Sequence, residues 1–162
     1  MLSATGGFSA ILCARLIKEH TRAVRQCVLM IDNICILLQY SGISVEEIFK
    51  NLSLSSNYCL LLFITEINKR LGALIEYEKA YNDVISEKTF TKYLDSEDCD
   101  FMRGFLSMLG KSDLSGQLMN CKMYSEFFKG KLNSLEKSEN NKCKSAVALV
   151  LGVTLTAIIL IL

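Results

Sequence analysis

Proline and tryptophan are both missing from this chain of 162 residues. A proline inside a helix removes a hydrogen bond and clashes with the preceding turn, so its absence leaves long helical runs unobstructed. Histidine is nearly missing as well. His20 is the only one, which leaves metal ligation and imidazole acid–base chemistry little to work with. The seven cysteines, Cys13, Cys27, Cys35, Cys59, Cys99, Cys121 and Cys143, contain no C-x-x-C pair and are odd in number. That argues against a zinc site and against a secreted disulfide framework. They are expected to be small hydrophobes in a reducing cytosol. Net charge is also lacking, at +1, so no broad field draws in nucleic acid.

Charge is missing again in one place that matters. From Ser145 to Leu162 the chain reads SAVALVLGVTLTAIILIL, without a charged side chain. Eighteen helical residues reach about 27 Å, close to the ~30 Å hydrocarbon core of a bilayer. Eleven of them are Leu, Ile or Val, enough to outweigh Ser145, Gly152 and two threonines. Lys137, Lys142 and Lys144 precede the stretch and no charged side chain follows. The positive-inside rule then puts the body of the protein in the cytoplasm and Leu162 across the membrane. At the other end, residues 1–14 carry no charged side chain, and Arg15, Lys18, Arg22 and Arg25 follow on the same cytoplasmic side. Fourteen residues make only about 21 Å of helix. A truncated, tilted or re-entrant anchor is expected, with a misplaced start codon as the alternative, and no basic n-region marks a cleaved signal peptide.

What is present between the ends is helical periodicity. Val24, Val28, Ile31, Cys35 and Leu38 step by four and three. Ser41-Gly42 makes a turn, and SVEE from Ser44 to Glu47 is a capping box for a short second helix. Leu60, Ile64, Ile67 and Leu71 mark a third helix, ended or kinked by Gly72, and Leu74, Tyr77, Tyr81 and Ile85 a fourth. Asp95 can cap a fifth, carrying Phe101, Phe105 and Met108. The sixth starts near Asp113 with Leu114, Leu118, Cys121, Phe128, Leu132 and Leu135 on one face, and runs on into the apolar tail. The fold expected is all-α. A cytoplasmic antiparallel bundle of about six helices (15–144) stands between a short N-terminal apolar segment (1–14) and a C-terminal transmembrane helix (145–162).

The stretch LGKSD, Leu109 to Asp113, contains the Gly-Lys-Ser that closes a phosphate-binding loop. That loop needs a glycine five residues earlier and a strand leading in, so that backbone N–H groups curl around the phosphates. Position 105 is Phe, Gly104 is one residue out of register, and CDFMRGFLSM reads as helix. The triplet is therefore assigned to a helix–helix turn. Gly110 is the left-handed residue that ends the fifth helix, and Ser112 or Asp113 caps the sixth, with Lys111 exposed between them. No serine or cysteine triad can be completed around a single histidine, and no G-x-S-x-G is present. The acid runs Glu46-Glu47 and Asp95 to Asp100 are read as caps and solvated faces, with no carboxylate cluster facing a pocket. No enzyme activity and no cofactor are expected.

Several residues carry a family resemblance: Gly7-Phe8, Arg25-Gln26, Tyr40, Ala80-Tyr81 and the terminal NKCKS. The most specific is FLSMLGKSDLSGQ, in which Phe105, Leu109, Gly110, Asp113 and Gln117 fit aromatic-x-x-x-Leu-Gly-x-x-Asp-x-x-x-Gln. Over most of its length the chain resembles stage III sporulation protein AB of endospore-forming bacteria, a family related to the inner-membrane platform proteins of type II secretion and type IV pilus machines. It departs from the family at Cys35 and Leu37, where an acidic pair is usual, and at Ile43-Ser44, where Thr-Pro is usual. The resemblance implies a membrane-anchored scaffold component of the channel complex between mother cell and forespore. It would sit in the mother-cell membrane around the forespore and dock the secretion-type ATPase, stage III sporulation protein AA, alongside other channel subunits. A generic tail-anchored helical adaptor is the alternative. Neither reading calls for nucleic acid or a small-molecule substrate.

Overall fold

Periodic apolar faces dictate how the chain is laid out in a computed structural model. The model describes the backbone of residues 3–161 apart from 88, 89 and 91, and the side chains of 15–40, 42–87, 90 and 92–141. Among the described residues six α-helices form: α1 (Ser3–Ser41), α2 (Val45–Ser53), α3 (Leu62–Gly72), α4 (Tyr77–Ile85), α5 (Ser96–Met108) and α6 (Leu114–Ile161), with a 3-10 turn at Ser56–Tyr58. No strand occurs among the described residues. The fold is all-helical, as the sequence leads one to expect.

α1 and α6 pair antiparallel and form the spine. Thr21 Oγ1 donates to the Glu139 carboxylate. Further along, Arg25 Nη2 donates to Glu136 Oε1 at 2.7 Å, and Ser125 Oγ donates to Asp32 Oδ1 at 2.6 Å, with Lys129 Nζ 3.3 Å from the same carboxylate. Each step up α1 is a step down α6. The α1 face expected from periodicity, extended by Ala23, Cys27, Met30 and Ile34, is buried in the core except at Cys35, which is partly exposed. Phe49, Phe63, Phe90, Phe105 and Phe128 are fully enclosed, each such side chain contributing roughly 1.5–3 kcal/mol. Polar ties fix the register of the smaller elements. Leu60 N–H donates to Gln26 Oε1 at 2.9 Å, and Tyr77 Oη donates to the Leu106 carbonyl at 2.8 Å.

α3 ends at Gly72, as expected. Three other expectations need correction. The left-handed terminal residue is Leu74, at φ +61°. There Leu74 N–H donates to the Leu71 carbonyl and Ile75 N–H to Arg70, the crossed pair of a Schellman cap. Leu74 therefore does not share the inner face of α4 and is 96% exposed. Second, Leu60 precedes α3, whose first turn is preceded by the 3-10 turn. Third, Phe101, Met108 and Leu114 sit at the rim of the core rather than inside it, since the inner stripes of α5 and α6 are narrow.

Both long helices extend past the bundle. α6 has 48 residues, a length of about 72 Å. Arg15–Tyr40 within α1 is, among the described residues, the one stretch apolar and long enough to cross a membrane by composition, and half of its most apolar window is buried in the bundle. A core helix passes the same test. The expected span at Ser145–Leu162 lies outside the residues whose side chains are described.

Candidate functional site

The expected turn at LGKSD forms from local rules. α5 ends when Gly110 adopts φ +79°, a conformation costing an L-residue about 1–2 kcal/mol. A Cβ there would also stand 2.9 Å from Val45 Cγ2. Asp113 Oδ1 accepts the Gly116 N–H at 3.0 Å, so Asp113 rather than Ser112 caps α6. Gln117, one turn into α6, reaches back across the loop. Its Oε1 accepts the Gly110 N–H at 3.2 Å, and its Nε2 donates to the Ser112 carbonyl at 3.0 Å. Phe105 and Leu109 are buried beneath. Lys111 pairs with Glu78 at 2.9 Å. The backbone N–H of Gly110 is thus committed to a side chain, and helices rather than a strand lead in and out. Gly104 serves a different purpose, admitting the Tyr124 hydroxyl to within 2.6 Å of where its Cβ would be.

Tyr40 stands apart from this turn, 78% exposed near the end of α1. Arg15, Lys18 and Arg22 are exposed on the first described turns of α1, and Lys137 is exposed on α6. Because α1 and α6 run antiparallel, these four cations ring one end of the bundle. Lys142 and Lys144 lie on α6 beyond the described side chains.

At that same end the fold gathers a charged cluster that the sequence does not announce. Asp95 caps α5, and Asp98 closes a capping box: Asp98 N–H donates to Asp95 Oδ1 at 2.8 Å, and Asp98 Oδ2 faces the Asp95 N–H at 3.4 Å. α1 brings His20 Nε2 to 2.6 Å from Asp98 Oδ2 and 3.8 Å from Asp95 Oδ2. A carboxylate only accepts, so the shared proton sits on Nε2. α6 contributes Lys131, whose Nζ stands 2.9 Å from Asp95, 2.6 Å from Glu97 and 3.4 Å from Asp98 Oδ1. Asp98 is 0% exposed. Asp95 and Asp98 are caps, as expected, and of the cluster His20 and Asp95 line an open cavity of about 550 Å³ with Arg15, Glu19, Lys92 and Tyr93.

The electrostatics follow from these contacts. The hydrogen bond to Asp98 raises the His20 pKa above its ordinary 6.5, against the lowering effect of burial. Burial would raise the Asp95 carboxyl, but the Asp98 N–H and Lys131 outweigh it and hold the group below the usual carboxylate range. Burial would lower Lys131, but Glu97 and Asp95 hold its proton more tightly than usual. Cys27, Cys99 and Cys121 are buried free thiols, whereas Cys35 is partly exposed and Cys59 exposed. Desolvation pushes Cys99 up to about 11 and Cys121 up to about 12, which keeps both protonated and unreactive. Cys13 and Cys143 lie outside the described side chains.

Against known proteins, the family model described as stage III sporulation protein AB matches residues 1–162, the whole chain. No curated protein matches, and no solved structure matches.

Proposed function

The chain belongs to the stage III sporulation protein AB family, and from that premise we propose that it is a membrane-anchored scaffold of the channel between mother cell and forespore. Family membership carries the sporulation role. In this reading the bundle, 15–144, is cytoplasmic and docks the secretion-type ATPase, stage III sporulation protein AA. The tail at 145–162 spans the mother-cell membrane around the forespore, with Leu162 on the far side. Residues 1–14 associate with the same membrane, and the apolar segments meet neighbouring channel subunits.

One observation carries the anchoring part. The antiparallel pairing of α1 with α6, from Thr21–Glu139 to Asp32–Ser125, sends both uncharged ends of the chain out of one end of the bundle. Arg15, Lys18, Arg22 and Lys137 surround that end, where cations face anionic lipid headgroups on the cytoplasmic side. The role proposed is non-catalytic. His20 is engaged by Asp98, and the phosphate-loop-like triplet is a cap and a turn.

The test is co-purification of the full-length chain, in detergent, with the neighbouring ATPase. Retention of the ATPase at micromolar concentration, together with loss of the chain from detergent-free soluble fractions, is the expected result. A folded chain that is dispersed without detergent removes the anchor. One that remains in the membrane yet fails to retain the ATPase removes the docking role.

A further inference from the structure

The cluster between α1, α5 and α6 has more negative charge than the bundle itself neutralises. Asp95, Glu97 and Asp98 converge on one ammonium, that of Lys131, leaving an excess of two negative charges when His20 is neutral. Asp98 is fully buried, and its Oδ1 accepts no hydrogen bond. The nearest cation to that oxygen, Lys131, stays 3.4 Å away. Burying a carboxylate with one oxygen lacking a donor is costly, and such a carboxylate, with its other oxygen Oδ2 against an imidazole, has the makings of a cation site.

We propose that His20 Nε2, Asp98 Oδ2 and Asp95 Oδ2 bind one divalent transition-metal ion, zinc by preference, with its fourth position open to the cavity. The three donors can offer ligand atoms that all lie within 4.8 Å of one another. A tetrahedral ion about 2.0–2.1 Å from each donor separates them by roughly 3.3–3.4 Å. The present separations from His20 Nε2, 2.6 Å to Asp98 and 3.8 Å to Asp95, bracket that value. To seat the ion, His20 Nε2 and Asp98 Oδ2 part by about 0.7–0.8 Å, and His20 Nε2 and Asp95 Oδ2 close by about 0.4–0.5 Å. Three protein ligands with an open fourth position is an arrangement zinc accepts, and an imidazole ligand disfavours magnesium and calcium. Asp95 and His20 reach the cavity wall, which gives the ion a way in.

The proton balance is explicit. The ion takes the place of the proton on His20 Nε2: in the neutral imidazole that proton moves to Nδ1 with no net release, and in the protonated one it leaves to solvent while Nδ1 keeps its own, so binding weakens as the medium becomes more acid. Lys131 is the competitor. It now shares Asp95 Oδ2, and on binding it keeps Glu97 and the free Asp98 Oδ1.

The experiment uses the full-length chain in detergent, stripped with chelator and titrated with zinc chloride or magnesium chloride, reading the imidazole NMR resonances of His20. Being the only histidine, His20 reports the site directly even while seven cysteines are present. Zinc is expected to shift these resonances saturably at one equivalent, and magnesium to leave them in place. Asp95→Asn keeps a good helix cap and should weaken the zinc response by at least about tenfold, the low end of what losing even a supporting residue costs a metal site. Lys131→Met, which removes the competing cation, should strengthen it. Unmoved His20 resonances, an undiminished response in Asp95→Asn, or a weaker one in Lys131→Met in a chain that remains helical would each overturn the assignment.

Discussion

Two residues in left-handed backbone show how position decides the worth of a side chain. Gly110 at φ +79° has Val45 beside it, so Gly110→Ala meets both backbone strain and a steric contact. It is expected to destabilise the fold by about 2 kcal/mol. Leu74 at φ +61° does the same backbone work with the wrong residue, and its side chain packs against almost nothing. Leu74→Gly should relieve part of the 1–2 kcal/mol strain, set against the entropy a glycine adds to the unfolded chain, for a net gain of about 0.5 kcal/mol. Paired thermal melts check both, and equal signs for the two substitutions would contradict the account. Periodicity placed Leu74 on a helix face because it is apolar and in step. Only the hydrogen bonds Leu74 to Leu71 and Ile75 to Arg70 reveal it as a cap.

At the scale of elements, the α5–α6 turn is held by side chains of α6 that reach back over it. Asp113 satisfies one orphan N–H of the first turn, and Gln117 bridges Gly110 and Ser112. Asp113→Ala is expected to cost ~1 kcal/mol, and Gln117→Ala, which forfeits two hydrogen bonds at a partly exposed site, about 1–2 kcal/mol. Urea titrations should show lower midpoints with unchanged slopes. A midpoint equal to the parent chain's in either variant would remove that residue from the turn's architecture. The turn was legible beforehand because capping and left-handed geometry act within a few residues: Gly110, Asp113 and the helix start could all be assigned from LGKSD. Which of Ser112 and Asp113 makes the cap was settled by geometry, as was the role of Gln117, since both bonds need the turn to be closed first.

For the whole molecule, the His20–Asp98–Lys131 cluster ties together α1, α5 and α6, the three elements that make up most of the bundle. Its pH dependence has a definite sign. Folding raises the His20 pKa, so its contribution is complete below about pH 6.5 and is lost as pH rises through the higher folded value. Folding lowers the Asp95 pKa, so that contribution is complete above about pH 4 and is lost as pH falls through the lower folded value. Melting temperatures measured with chelator present should therefore form a plateau over mildly acid pH and decline on the alkaline side. His20→Ala leaves the buried Asp98 with the Asp95 N–H and the Lys131 ammonium, each 3.4 Å away, and should cost on the order of 3 kcal/mol. It should also flatten the alkaline decline. A decline of the same steepness without His20 would place its origin elsewhere.

The sequence by itself determined the helices, the caps at Ser44 and Asp95, the turn at Gly110 and the all-α class, because those depend on 3.6-residue periodicity and on hydrogen bonds reaching three or four residues. It also supplied the family pattern from Phe105 to Gln117. Tertiary structure decided which helix meets which, and with that the charged cluster. His20 and Asp98 are 78 residues apart, and His20 lies on α1, Asp98 in a cap of α5 and Lys131 on α6. An acid run reads as a helix start whichever partner arrives. No local rule says that a lone histidine and a lysine from two other helices will close over it, because only the packing of three apolar faces brings their charges within a few ångströms.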